Sequence, residues 1–132
     1  MPSILIVDDS RPVRTVLRHI LQDAGFTIYE APDGRTALEV YGRTAIDVLM
    51  VDAQMPEWDG LTTIRTFHDT FPNSPARIIL MTGDPTVWPL PDDRSEAGER
   101  VHRIIAKPFH SSALLDEIRQ ELRAQAASVN VS

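Results

Sequence analysis

The chain has 132 residues, enough for one domain with a sizeable core. Its formal net charge of −6 argues against a general nucleic-acid surface, which needs clustered Lys and Arg, and the absence of cysteine removes disulfides and thiolate metal sites. No apolar stretch approaches the roughly 20 residues that cross a bilayer. Asp8 and Asp9 interrupt the only early apolar run, so neither a signal peptide nor membrane insertion is expected and the chain reads as cytoplasmic.

The first apolar run, Ile4 to Val7, is short and continuous, which suits a strand buried on both faces. Val13, Val16, Leu17, Ile20 and Leu21 recur at spacings of three and four and predict an amphipathic helix. Ser10 is its expected cap, Pro12 fits its first turn, and Gly25 is its expected stop. A second strand is predicted over 26–30, and a short helix carrying Ala37, Leu38, Val40 and Tyr41 after Asp33-Gly34. The third strand is predicted over 46–51, a helix follows with Leu61, Ile64, Arg65 and Phe67, and the fourth strand covers 77–81.

Beyond Thr82 the rhythm breaks. Pro85, Pro89 and Pro91 are too dense for an ordinary helix, so the fourth helix is expected to be short or irregular, at about 92–97, with Gly98 as its stop. A fifth strand is predicted over 103–106. Leu114, Leu115, Ile118 and Leu122 then form the stripe of a last helix, with Ser111 or Ser112 as its cap. Residues 1–125 are read as one domain and 126–132 as a disordered tail. Strands alternating with helices imply an α/β fold around a parallel sheet, whose sites lie beyond the carboxyl ends of its strands.

Polar residues gather at those ends. Asp8 and Asp9 close the first strand, Asp52 the third, Thr82 the fourth, and Lys107 follows the fifth, before Pro108. Three carboxylates, one cation and one hydroxyl at a single sheet edge can hold a divalent metal and accept a phosphoryl group. Taken singly, each residue has a plainer reading: an Asp pair after a strand commonly turns the chain, and Asp52 ahead of Met55-Pro56 could be a loop residue. The set is more telling, since independent turns have no reason to supply one metal-and-phosphate site.

In this order Asp8-Asp9, Asp52, Thr82 and Lys107-Pro108, with the strings ILIVDDS, DVLMVDAQMPEWDG, IILMTG and AKPF, resemble the receiver domains of two-component response regulators, from about Ile4 to about Leu122. The resemblance implies a flavodoxin-like, doubly wound (βα)5 fold with a five-stranded parallel sheet in the order 2-1-3-4-5. It implies Mg2+ as cofactor, ligated directly by Asp9 and Asp52, through water by Asp8, and by the backbone carbonyl of Gln54. Asp52 would be the phosphoacceptor, Thr82 and Lys107 would bind the phosphoryl group, and the Lys107-Pro108 bond would be cis. The partners implied are a histidine kinase or histidine phosphotransfer protein and a downstream protein target, with no nucleic acid. The chain would be a monomer or weak dimer, and no enzyme beyond its own phosphorylation and dephosphorylation.

The sequence departs from that pattern in two places. The position three before the lysine, aromatic in typical receivers, is Ile104, which has no ring to swing inward; Trp88 and His102 are the substitutes considered. Gln54 and Asp84 fall where the family flanks the path of the attacking water, and Gly83 is small enough to leave the phosphoryl group accessible, so all three bear on phosphoryl lifetime. Trp58, six residues past Asp52, is expected to report on the site. His19, His68, His102 and His110 lack metal-ligand spacing, Phe67 and Phe71 are read as packing, and Arg94, Arg100 and Arg103 as a solvated face. The alternatives are a receiver-fold interaction module with little phosphorylation-driven switching, and a receiver fragment of a larger regulator or hybrid kinase. An Asp-nucleophile phosphatase would carry its nucleophile after the first strand, where Asp8-Asp9-Ser10 does not match the expected DxD arrangement. A flavin protein would want a Ser, Thr or Gly loop there, since Asp8 and Asp9 would repel its phosphate.

Overall fold

A computed structural model describes residues 2–83 and 101–131, with side chains through Ala126. Five strands, β1 (Ser3–Val7), β2 (Thr27–Ala31), β3 (Val48–Asp52), β4 (Arg77–Thr82) and β5 (Arg103–Ala106), form one sheet in the order β2-β1-β3-β4-β5. Every pairing is parallel. The helices are α1 (Arg11–Asp23), α2 (Gly34–Arg43), α3 (Gly60–Thr70) and α4 (Ser111–Val131). The irregular helix expected over 92–97, its Gly98 stop, Trp88, Arg94, Arg100 and Asp84 all lie outside the described residues.

The strand alternation sorts the core into two layers. Leu5, Val7, Leu49, Val51, Ile78 and Leu80 face α2 and α3, where Ala37, Ile64 and Phe67 meet them. Ile4, Ile6, Val48, Met50, Ile79 and Met81 face α1 and α4, against Leu17, Leu21, Leu114 and Ile118. Because successive side chains of a strand point to opposite faces, a strand covered on both sides must be apolar throughout. β1 after its first residue, and all of β3, are buried, whereas the edge strand β2 alternates outward with Thr27 and Tyr29 exposed.

Two strands run further than expected, and that places the site. β3 ends on Asp52 and β4 on Thr82, because the ladder continues through Asp52 opposite Met81 and Thr82 opposite Ala106. β2 is shifted by one residue relative to the predicted 26–30.

The helix starts follow local chemistry. Ser10 caps α1 by accepting from the Val13 N–H, with Pro12 in the first turn. The chain leaves that helix through Gly25 at φ 96°, a conformation that costs a residue without Cβ nothing. Asp33 and Asp59 cap α2 and α3 by accepting from the N–H groups of Thr36 and Thr62, both at 2.8 Å. The expected cap of the last helix is corrected: α4 begins on Ser111, so Ser111 and Ser112 lie in its first turn, and the Leu114 N–H donates to the His110 carbonyl. The α4 backbone stays helical through Val131, past residue 126 where a tail was expected, in a stretch whose Ala124, Gln125, Ala126 and Ala127 favour helix.

The sheet edge where the strands begin is held by ions. Glu121 of α4 is 4% exposed and accepts from Arg77 of β4 at 3.1 Å and Arg103 of β5 at 2.7 Å. Glu117 also pairs with Arg103, so that arginine is part of a network and not the solvated face expected. His102 lies at the same edge: its Nδ1 accepts from the Ile78 N–H at 2.8 Å, and its backbone N–H donates to the Ile78 carbonyl. That position, far from the strand ends that carry Asp52 and Thr82, removes His102 as a stand-in for the missing aromatic.

The His102 imidazole must stay neutral to accept that bond. Burial, with the nearby Arg77 and His68 and against the pull of Glu121, pushes its pKa down to about 4 from an ordinary 6.5. Below the ordinary value the unfolded chain binds a proton that the folded ring refuses. The His102 contribution to stability is therefore complete above about pH 6.5 and is lost as pH falls toward 4 and below. Urea unfolding at pH 7, 5.5 and 4.5 is expected to show a shallower loss of stability in His102→Asn, whose amide oxygen can accept the same bond without titrating.

Candidate functional site

The carboxyl ends of β1, β3, β4 and the residue after β5 meet at one edge. Asp8 follows β1 with no exposed surface, although it is a carboxylate. It is held from several sides. Its Oδ1 accepts from the Ser10 N–H at 2.8 Å and its Oδ2 from the Lys107 ammonium at 3.2 Å, while its backbone N–H reaches the Ala31 carbonyl. Its own carbonyl accepts from Arg14 of α1 at 2.5 Å.

Asp52, the last residue of β3, is 5% exposed. Its Oδ1 accepts from Lys107 at 3.1 Å and, at a longer 3.4 Å, from the Gln54 N–H. Among the described residues its Oδ2 has no hydrogen-bond partner, and no buried side-chain polar atom is left unpartnered. Oδ2 is therefore the oxygen through which Asp52 reaches solvent. Burial raises the Asp52 pKa, the Asp8 charge raises it further, and the Lys107 contact only partly offsets both. Burial alone would lower the Lys107 pKa, but its bond to Asp52 and the charges of Asp8 and Asp52 outweigh that and hold it above the usual lysine range.

Asp9 is exposed beside them, and carboxylate oxygens of Asp8, Asp9 and Asp52 all lie within 4.8 Å of one another. One ammonium among three carboxylates leaves the group short of positive charge, with two of the acids buried. Oxygens on opposite sides of a Mg2+ ion are about 4.2 Å apart, so this all-oxygen set suits that ion in both charge and spacing. The opening is acidic as well: Asp9, Asp33 and Glu57 line a recess of 280 Å3 with Pro32 and Pro56.

Thr82, 1% exposed, ends β4 in the neighbouring strand, and its carbonyl accepts from the Lys107 N–H at 2.8 Å. The Lys107-Pro108 bond is cis, as expected. Gln54 is exposed just past β3, and Gly83 is exposed, with no described atom within 4 Å of where a Cβ would stand. Ile104 is half-buried in mid-β5, opposite Leu80, and packs on the α2–α3 core layer. Trp58 is half-buried in the loop after β3, with the Arg35 guanidinium 5.4 Å from its ring centre and Gly34 of α2 close beneath.

Two supports of the site were not found in the sequence. Gly60 opens α3 so close to the end of β3 that an added Cβ would lie 2.6 Å from the Asp52 carbonyl oxygen and 2.9 Å from the Ala53 Cα. The Asp59-Gly60 pair was readable as a turn, but not as the contact that seats a helix against Asp52. Arg14, inside an apolar helical pattern, gave no sign that it would brace the Asp8 backbone.

A family model described as the response regulator receiver domain matches residues 4–119. The response regulator MprA of Mycobacterium leprae is 36% identical over 127 residues, 91% of this chain and 50% of that protein. The chain thus spans about half the length of the first curated relatives it matches. The response regulator receiver protein CpdR of Brucella abortus is 30% identical over 94% of this chain and 99% of its own length. Among solved structures, the Thermotoga maritima response regulator TrrA in complex with Mg2+ and BeF superimposes with a TM-score of 0.78 at 26% identity, covering 92% of this chain and 99% of that one.

Gly60→Ala is expected to cost roughly 1–3 kcal/mol, the penalty of forcing atoms into a filled space, because backbone on both sides must move. Gly83→Ala, entering open space, should stay within about 0.5 kcal/mol. Denaturant melts of the two variants compare them directly. A raised Asp52 pKa means that ionised Asp52 opposes folding at neutral pH and that the cost is relieved as pH falls through its folded value. In metal-free buffer at pH 7, Asp52→Asn is therefore expected to raise the melting temperature by about 3 °C, the equivalent of roughly 1 kcal/mol in a domain of this size.

Proposed function

The chain belongs to the response regulator receiver family, and from that premise we propose that it accepts a phosphoryl group on Asp52 from a phosphohistidine donor, a histidine kinase or a histidine phosphotransfer protein. The observation that carries this reading is the convergence of Asp8, Asp9, Asp52 and Lys107 at the end of the sheet. Receiver domains are signalling domains, not classical enzymes, and they generally bind Mg2+ at such an acidic cluster. Here Asp9 and Asp52 would ligate the ion directly, Asp8 through water, and the Gln54 carbonyl would complete the protein share. The complex of the related TrrA with Mg2+ and BeF supports that choice of cation.

In the proposed transfer, Oδ2 of Asp52 forms a bond to phosphorus as the bond from phosphorus to the donor imidazole nitrogen breaks. The electron pair leaves with that nitrogen. Asp52 is a weak nucleophile, so the site must work by stabilising charge on the transferring oxygens. Lys107 supplies its ammonium, already held charged, and Thr82 its hydroxyl. Mg2+, when bound, supplies the remaining neutralisation of those oxygens. Gln54, whose N–H donates to Asp52, and Gly83, which follows Thr82, would bear on how readily water reaches the phosphoryl group; Asp84, given the same role by the resemblance, lies outside the described residues.

The donor has an apolar seat beside the acceptor. Pro12, Val13, Val16 and Ile20 of α1, with Pro108 and Phe109, line a groove of 540 Å3 that shares Lys107 with the acidic pocket. Val16 stays 55% exposed there. Output runs through a downstream protein target. Ile104 favours a second reading for that step, an interaction module with little phosphorylation-driven switching, because a half-buried isoleucine packed on the core has no ring to exchange between two positions.

Incubation with radiolabelled phosphohistidine donor or acetyl phosphate is expected to label the wild-type chain in an acid-stable, base-labile form and leave Asp52→Asn unlabelled. Acid-stable label on Asp52→Asn would move the acceptor elsewhere. In the same preparation Trp58 emission should respond to Mg2+ and again to beryllofluoride in the wild-type protein.

A further inference from the structure

The described residues hold a second charged recess, of opposite sign to the first. Arg11, Arg14 and Arg18 of α1 line a cavity of 330 Å3 with Thr15, Glu30 and Pro32. Its size falls at the lower end of the roughly 300–1,000 Å3 common for small-molecule sites. Both oxygens of Glu30 are already engaged, Oε1 by Arg14 Nε at 3.2 Å and Oε2 by Arg18 at 2.7 Å. Arg14 is fixed once more by its bond to the Asp8 carbonyl. Arg11 is exposed, and its guanidinium makes no ion pair or hydrogen bond among the described residues.

The charge count separates this cluster from an ordinary structural network. At the other edge of the sheet, two arginines meet two glutamates. Here three guanidiniums line a recess with one carboxylate, which pairs with two of them, an excess of two positive charges in a chain whose net charge is −6. No acidic residue stands in the first turn of α1 to offset the positive end of the helix, where Arg11 is the first residue. Guanidiniums held in place by a carboxylate keep their remaining N–H groups directed, which is the arrangement that binds phosphate oxygens in pairs.

We propose that this cavity is a binding site for a small phosphoanion carrying two or more negative charges, separate from the pocket that holds Asp52. The recess distinguishes a free anion from an acidic side chain on a partner protein, for which arginines on an open surface would suffice. The site does not depend on phosphorylation of Asp52, and the acidic pocket repels the same ligand.

The test uses the whole protein in Mg2+-free buffer, with pyrophosphate as the probe and sodium chloride at matched ionic strength as the control. Arginine Nε–H resonances are followed by NMR. Pyrophosphate is expected to give saturable shifts at Arg11, Arg14 and Arg18, with binding about tenfold weaker in Arg11→Ala, which loses one charge-assisted contact. Arg11 has no partner among the described residues, so its removal is expected to leave the fold intact. Shifts that sodium chloride reproduces, shifts unchanged in Arg11→Ala, or no saturation up to about 10 mM, beyond the millimolar affinity a few such bonds supply, would each overturn the proposal.

Discussion

The Lys107 ammonium bridges two carboxylates that repel each other, and the site is built around that bridge. Asp8 and Asp52 end different strands, both are buried, and each gives one oxygen to the same lysine. Without it, two like charges would sit in a poorly solvated place, a cost that folding rarely sustains. With it, the pair is tolerable but incompletely neutralised, and Asp52 still resists ionisation. That residual deficit is what makes the cluster attractive to a divalent cation and to a group that brings its own countercharge.

Holding the lysine there requires the fold to deliver three strand ends in register. Lys107 is fixed at its backbone by the Thr82 carbonyl, and Asp52 stays in the ladder opposite Met81. Gly60 lets α3 start against the Asp52 backbone, while Ser10 both caps α1 and gives its N–H to Asp8. Helix starts and site residues are thus the same few positions, as expected where parallel strands turn into helices at one edge.

The two ends of the sheet do different work. Where the strands begin, Arg77, Arg103, Glu117, Glu121 and His102 are mutually satisfied, and their charges nearly cancel. Where they finish, charge is left in excess: negative around Asp52, and positive a short way along α1 around Arg11. Paired charge holds structure together, while unpaired charge must be met by something from outside. Ile104 stands between the two ends, half-buried and aliphatic, so there is no aromatic ring at that position.

Much of this was legible in the sequence, because its causes are local. Continuous apolar runs ending in Asp8, Asp52 and Thr82 marked buried parallel strands and the sheet edge where these side chains meet, and the 3.6-residue stripes marked the helices among the described residues. The cis Lys107-Pro108 bond followed from resemblance and is present. Distance-dependent features were not legible. Nothing in the string shows that Gly60 touches the Asp52 backbone, that His102 accepts from Ile78, that Glu121 joins Arg77 to Arg103, or that Arg14 and Arg18 of one helix share Glu30 of a neighbouring strand. The sequence by itself determined which residue types would close each strand, since alternation and propensity act over a few residues. Only the tertiary structure decided which of those side chains meet, because charge compensation depends on separations set by the packing of the whole sheet.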